Sequence, residues 1–314
     1  MNSAGREARN EEWAAHPGGR RRSVFKNYSS ASAAEAQVNP KRETPAAREP
    51  LCTEPLQVAI DGAMARSFLY RMLAQAYQDP TEEGWGTLTE ARLLDTLETA
   101  VGTLTAGTQL LAQTAATLRS QLVPDLFDSF LGAYLAAFGH AARGRCPLNE
   151  IEYGDIKADP LFQPHRLADL AAFYRAFGLE VAEDANERHD HICLELEFMC
   201  VLAAKEAYAL EHQLEAEVLS LCRDAEKRFL REHLGRWTPS FARRLARMAA
   251  DSPLGSLANF TRAFVEAECA RFGVTSGSED LLLRPVDEAT ESMCNSCGLT
   301  QIPPGALPPA PAPI

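Results

Sequence analysis

The 314-residue chain is 46% hydrophobic and carries a formal net charge of -12, so it has apolar material for a large core while its acidic balance argues against a nucleic-acid partner, which wants a basic body. Its longest apolar runs fall short of the roughly 18 to 20 residues a membrane helix needs, and no stable membrane insertion is expected. The charge is uneven: residues 1–50 hold nine Lys/Arg against six Asp/Glu, leaving 22 against 37 for the rest, a surface better suited to basic peptides.

Residues 1–54 are rich in Ala, Ser, Arg, Glu and Pro without lasting periodicity and read as a disordered basic tail. Within it, Arg21-Arg22-Ser23-Val24-Phe25-Lys26 has the form of a twin-arginine export motif. The residues after Lys26 include Glu35 and Gln37 but no leucine run, so the apolar region of a signal is missing. From Met64 the pattern turns helical. Apolar residues recur at three- and four-residue offsets over Met64–Tyr77, ended by Asp79-Pro80, and less clearly over Leu88–Leu97 and Leu110–Leu122. The strongest helix spans Phe127–Phe138, with Pro124 at its start and Gly139 at its stop. His140 to Pro160 is a long Gly- and Pro-bearing loop, the kind more often functional than accidental. Further helices are predicted over Leu167–Phe177, Ile192–Tyr208, Leu214–Leu230, Phe241–Met248 and Leu257–Phe272. Sustained alternation is missing, so strands are few or absent. The fold class is all-α: one domain of about nine to ten helices over residues 55–275, followed by an extension, 276–314, with a CxxC and a disordered proline-rich tail.

Three stretches could carry chemistry. In "NERHDHICLELEFM", Asp190 stands where a helix begins and reads as its cap; a metal set of His189, His191, Cys193 and Glu195 is the competing reading, although the two histidines flank the helix start and need not converge. In "CPLNEIEYG", Glu150 and Glu152 could pair as acid and base, but there is no nucleophile elbow, phosphate loop or HExxH, and nothing argues for an enzyme. In "MCNSCGL", Cys294 and Cys297 form half of a zinc or iron–sulfur site, with Cys146 or Cys269 as completing ligands. The eight cysteines are otherwise scattered, which fits a reducing cytoplasm.

Taken together, "LGAYLAAFGHAARGRCPLNEIEYG" at 131–154, "LADLAAFYRAFGLE" at 167–180, "DHICLELEFM" at 190–199 and "FLREHLGRWTPSFARRL" at 229–245 resemble the TorD/DmsD family of cytoplasmic molybdoenzyme chaperones, related to the NarJ group. The resemblance implies two helical subparts joined by a hinge near Asp190, no catalysis and no required cofactor. Its implied partners are the twin-arginine signal peptide and the apo-form of a DMSO-reductase-type, molybdopterin-dependent oxidoreductase subunit, held until cofactor insertion and export. It implies a monomer or a domain-swapped dimer, and a client-binding set of Tyr134, Phe138, Pro147, Glu150, Glu152, Tyr153, Gly154, Asp190 and His191. Carboxylates beside an apolar groove suit such a peptide, because guanidinium groups want bidentate acceptors.

The competing function is a metal- or Fe–S-binding redox or electron-transfer protein built on Cys294, Cys297 and Cys146, with the helices as scaffold. Under the chaperone reading, Arg21–Lys26 becomes either a chance match in an arginine-rich tail or an internal copy of the ligand.

Overall fold

The computed structural model describes residues 25–27, 54–104, 109–139, 145–154, 162–182, 185 and 187–284. Among these residues are ten α-helices and one short two-stranded ladder. The helices are α1 (Glu54–Ala76), α2 (Glu82–Leu88), α3 (Ala91–Leu104), α4 (Gln109–Gln121), α5 (Phe127–Phe138), α6 (Phe162–Ala176), α7 (Ile192–Glu211), α8 (Ala216–Glu232), α9 (Leu234–Met248) and α10 (Pro253–Arg271). The all-helical expectation and its count hold. No described helix is long and apolar enough to cross a membrane.

The central layer is α1 packed along α7, with α9 packed along α10 beside it. Leu69 and Leu73 recur down one face of α1, with Tyr77 just past its end, and share the core with Leu194, Phe198 and Leu202 of α7, the spacing of a helix stripe facing a partner. Trp237, Phe241 and Leu245 of α9, with Leu257, Phe260 and Phe264 of α10, complete it. Truncating a ring such as Phe198 to alanine would cost on the order of 3–5 kcal/mol by opening a cavity.

Two departures from the periodic reading have local causes. Seven-residue α2 is too short to show a period; Thr81 caps it by accepting from the Gly84 N–H. Helix α9 starts at Leu234 rather than at Phe241, and Pro239, which reads in sequence as a breaker, lies inside it. A proline there cannot donate to the Gly235 carbonyl, and that carbonyl instead accepts the Gly277 N–H at 2.9 Å. A Cβ on Gly277 would lie 1.8 Å from the Arg236 carbonyl oxygen, so this approach requires glycine.

The boundary expected at residue 275 is therefore not where the packed chain ends. Ser240 Oγ donates to the Leu281 carbonyl, Tyr153 bridges to Leu283, and the Arg284 N–H bonds the Glu152 carbonyl. The N-terminal tail likewise contributes to the fold: β1 (Phe25–Asn27) pairs antiparallel with β2 (Leu179–Val181).

One buried charge cluster sits in the helical body. Arg66 of α1, fully out of water, pairs with Glu206 of α7, Glu226 of α8 and Glu268 of α10. Tyr70 donates to Glu268 at 3.1 Å, and Arg223 reaches Glu206 from the surface at 2.6 Å. Burial, only partly offset by Arg66, pushes the Glu226 carboxyl up to about 7.

Candidate functional site

Residues 145–154 form a loop tied to the start of α7. The Glu150 N–H donates to the Asp190 carbonyl and the Ile192 N–H to the Leu148 carbonyl, both at 2.9 Å. Glu150–Glu152 make one 3-10 turn, and the loop leaves through Gly154 at φ 121°, a left-handed value that favours glycine. Its N–H bonds the Leu282 carbonyl, so the segment after α10 holds the far side of the loop.

Asp190 is the pin, not the cap. Its fully buried carboxylate accepts from the Ile151 N–H (3.1 Å), Asn149 Nδ2 (3.2 Å), and Arg188 Nε and Nη2 (2.6 and 2.8 Å). The cap of α7 is His191, whose Nδ1 accepts from the Cys193 N–H at 3.3 Å. Burial, against the pull of Asp190, brings the His191 imidazole down to about 4, which keeps Nδ1 free as an acceptor near neutral pH.

Glu150 gathers three basic side chains. His233 Nδ1 lies 3.0 Å from its Oε2; Arg236 Nη2 donates to its Oε1 at 3.0 Å, and Arg166 donates to the same oxygen. Burial works against the Glu150 charge, but the His233 contact and the two arginines outweigh it and draw the carboxyl down to about 2. His233 Nε2 lies 3.3 Å from Asp169 Oδ2 without hydrogen-bond geometry. Beneath this cluster, Glu195 accepts from Trp237 Nε1 at 3.0 Å, and burial beside Glu150 and Asp190 raises its carboxyl well above the usual range.

Several sequence expectations are corrected here. Tyr134, Phe138 and Tyr153 do not line an open groove. Tyr134 donates to the Tyr77 carbonyl and packs against Phe138, which lies over Phe241; Tyr153 donates to the Pro147 carbonyl at 2.7 Å and rests on Trp237. Aromatic neighbours draw the loop inward. Pro147, Glu152 and Gly154 are buried as well, with Glu152 facing Arg188 and Arg284 at 3.6 and 3.8 Å. Glu150 and Asp190 are not empty acceptors: the chain's own arginines hold them. A shallow recess lies elsewhere, between Trp85, Phe130 and the end of α1.

The metal readings fare no better. Cys146 is fully buried between Tyr153 Oη and the Phe241 carbonyl, and burial pushes its thiol up to about 12. Cys294 and Cys297 lie outside the described residues. In the 189–195 stretch, Cys193 is buried with its thiol well above the ordinary range, and Glu195 is turned to Trp237. Among the described residues, Asp169, Glu232 and His233 come within metal-ligand reach of one another, but Glu232 is paired with Arg228 and Arg231 and His233 with Glu150.

Sequence reasoning missed the basic side chains. Arg166, Arg188, His233 and Arg236 complete the site, and the one usable signal was His233 and Arg236, three residues apart and hence on one helix face.

A family profile described as nitrate reductase delta subunit matches residues 94–243. The chain is 30% identical over 218 residues to the selenate reductase assembly chaperone protein of Thauera selenatis, covering 69% of this chain and 95% of that one. It is 28% identical to the perchlorate reductase assembly chaperone protein of Dechloromonas aromatica, over 66% of this chain and 90% of that one. A chaperone protein TorD of Vibrio cholerae is 29% identical over 38% of this chain and 52% of its own. No solved structure matches.

Proposed function

This chain belongs to the nitrate reductase delta subunit family, the TorD/NarJ group of molybdoenzyme assembly chaperones, and we propose that it holds the immature catalytic subunit of a DMSO-reductase-type molybdoenzyme in the cytoplasm until cofactor insertion is complete. It does so by binding the subunit's twin-arginine signal peptide and part of its body, without catalysis and without a cofactor of its own. The observation that carries the reading is similarity along nearly the whole length of an assembly chaperone.

The site geometry supports the peptide part. Asp190 and Glu150 are fully buried acceptors, whereas their guanidinium partners Arg188 and Arg236 are 41% and 29% exposed. A surface arginine can be exchanged for an incoming arginine of the same shape at little net cost, because the buried carboxylate never loses its partner. The signal's arginines take the places of Arg188 and Arg236, and the loop 145–154 reports the exchange through Asp190. The redox alternative has no such support: Cys146, one of its two candidate completing ligands, is a buried thiol, and Cys294 and Cys297 lie outside the described residues.

The test is a pull-down with the tagged full chain from its native cytoplasm, followed by mass spectrometry. A molybdopterin-dependent oxidoreductase subunit, captured without its cofactor, is the expected result; capture of no oxidoreductase subunit above the tag-only control defeats the proposal.

A further inference from the structure

We infer that the edge of β2 covered by β1 is a docking strand for an extended peptide with an apolar anchor, and that its resident occupant, Phe25–Asn27, is an internal copy of the client signal that must leave before a client peptide binds. This rests on the chaperone reading above. The two strands come from regions more than 150 residues apart in sequence, yet pair with Phe25 opposite Val181, Lys26 opposite Glu180 and Asn27 opposite Leu179. Strand addition to a free edge is a general mode of peptide capture: main-chain bonds supply affinity and a side-chain pocket supplies selectivity.

The pocket is present. The Phe25 ring is buried edge-on against Tyr174 with centroids 4.8 Å apart. Tyr174 belongs to the candidate site, since its hydroxyl donates to the His189 carbonyl at 2.7 Å, one residue before Asp190. The occupant therefore sits next to the pin that holds the 145–154 loop.

Sequence says what kind of peptide fits. Phe25 is the second apolar position of Arg21-Arg22-Ser23-Val24-Phe25-Lys26; residues 21–24 lie outside the described residues. Within the described ladder Lys26 stands opposite Glu180, so the edge suits a peptide with a basic residue directly after its apolar anchor.

A three-residue ladder with one anchoring ring is weak by itself. Tethering raises its effective concentration to the order of 1 mM, which suffices to hold it in place while leaving it displaceable. Such a plug lowers the apparent affinity for an outside peptide by the fraction of time the edge is free.

Two fluorescent probes test this on the full chain: a peptide of residues 18–30, and a peptide beginning Ser-Arg-Arg-Ser-Phe-Leu-Lys followed by ten Leu/Ala residues. Phe25→Asp should bind both about tenfold more tightly than the unaltered protein, and deletion of residues 1–28 should match it. The 18–30 peptide carrying the same Phe25→Asp change should not bind. Unchanged affinity in both variants overturns the proposal. So does tighter binding of the 18–30 peptide alone, which makes the ladder a structural clasp and not a client site. Both failures are distinct from failure of the chaperone reading, which the pull-down reads independently.

Discussion

The Arg66 cluster and the Asp190–Glu150 cluster both hold carboxylates out of water against guanidinium groups, but they bury opposite partners. In the helical body, Arg66 itself is sealed among Glu206, Glu226 and Glu268; at the loop the acids are sealed while Arg188 and Arg236 reach in from the surface. A sealed cation can only be removed, which strands its acids, whereas a surface cation can be traded for another. The first arrangement fastens α1 to α7, α8 and α10; the second suits a site that must accept a basic ligand.

The sharpest way to break this contrast is to delete the two kinds of arginine. Arg66→Met should cost about 3–5 kcal/mol in urea unfolding, the usual penalty for an unpaired buried charge; a loss under 1 kcal/mol would show that Glu226 and Glu268 simply take up protons. The clusters should also differ in the sign of their pH dependence. Glu226, raised to about 7, keeps its proton in the fold while the unfolded chain ionises above its ordinary value near 4.5. Its contribution therefore falls as pH climbs from 4.5 to 7, and Glu226→Gln should flatten that fall by about 3 kcal/mol.

Glu150 runs the other way. Its carboxyl is drawn down to about 2, so its stabilisation is present above pH 4.5 and lost as pH drops toward 2. Glu150→Gln should cost about 2 kcal/mol at pH 7 and little at pH 2, read from unfolding midpoints across that range. Least of all, Arg188→Ala should cost about 1–2 kcal/mol, because the cation removed is partly in water and the buried Asp190 carboxylate keeps the Ile151 N–H and Asn149 Nδ2 as donors. A cost equal to that of Arg66→Met would make Arg188 a fixed structural group and remove the exchange argument.

The same burial difference explains what the sequence could and could not disclose. Helices with a clear apolar stripe, α1, α5 and α7, were legible from spacing alone. The start of α9 was not, because Pro239 reads as a breaker and its compensation comes from Gly277, distant in the chain. Asp190 stood out as a helix-start carboxylate, yet its role passed to His191 once Ile151 and Arg188 claimed its oxygens. Tyr153 and Cys146 sit in a stretch whose local composition says surface; only Trp237 and Phe241, about ninety residues on, make it interior. Partners supplied over such distances leave no local pattern to read.

The fastening of the 145–154 loop also sets an order of events in time. Its contacts span 41 residues to Asp190 and 83 to His233, and its outer side waits for the segment after α10. Long-range closures of this kind come late in folding, after the helices they bridge, and regions held mainly by such closures are the ones that open first. Amide exchange at Ile151 and Gly154 should outpace that of the α1 and α7 cores, so the newest part of each folded molecule is also the first to reopen.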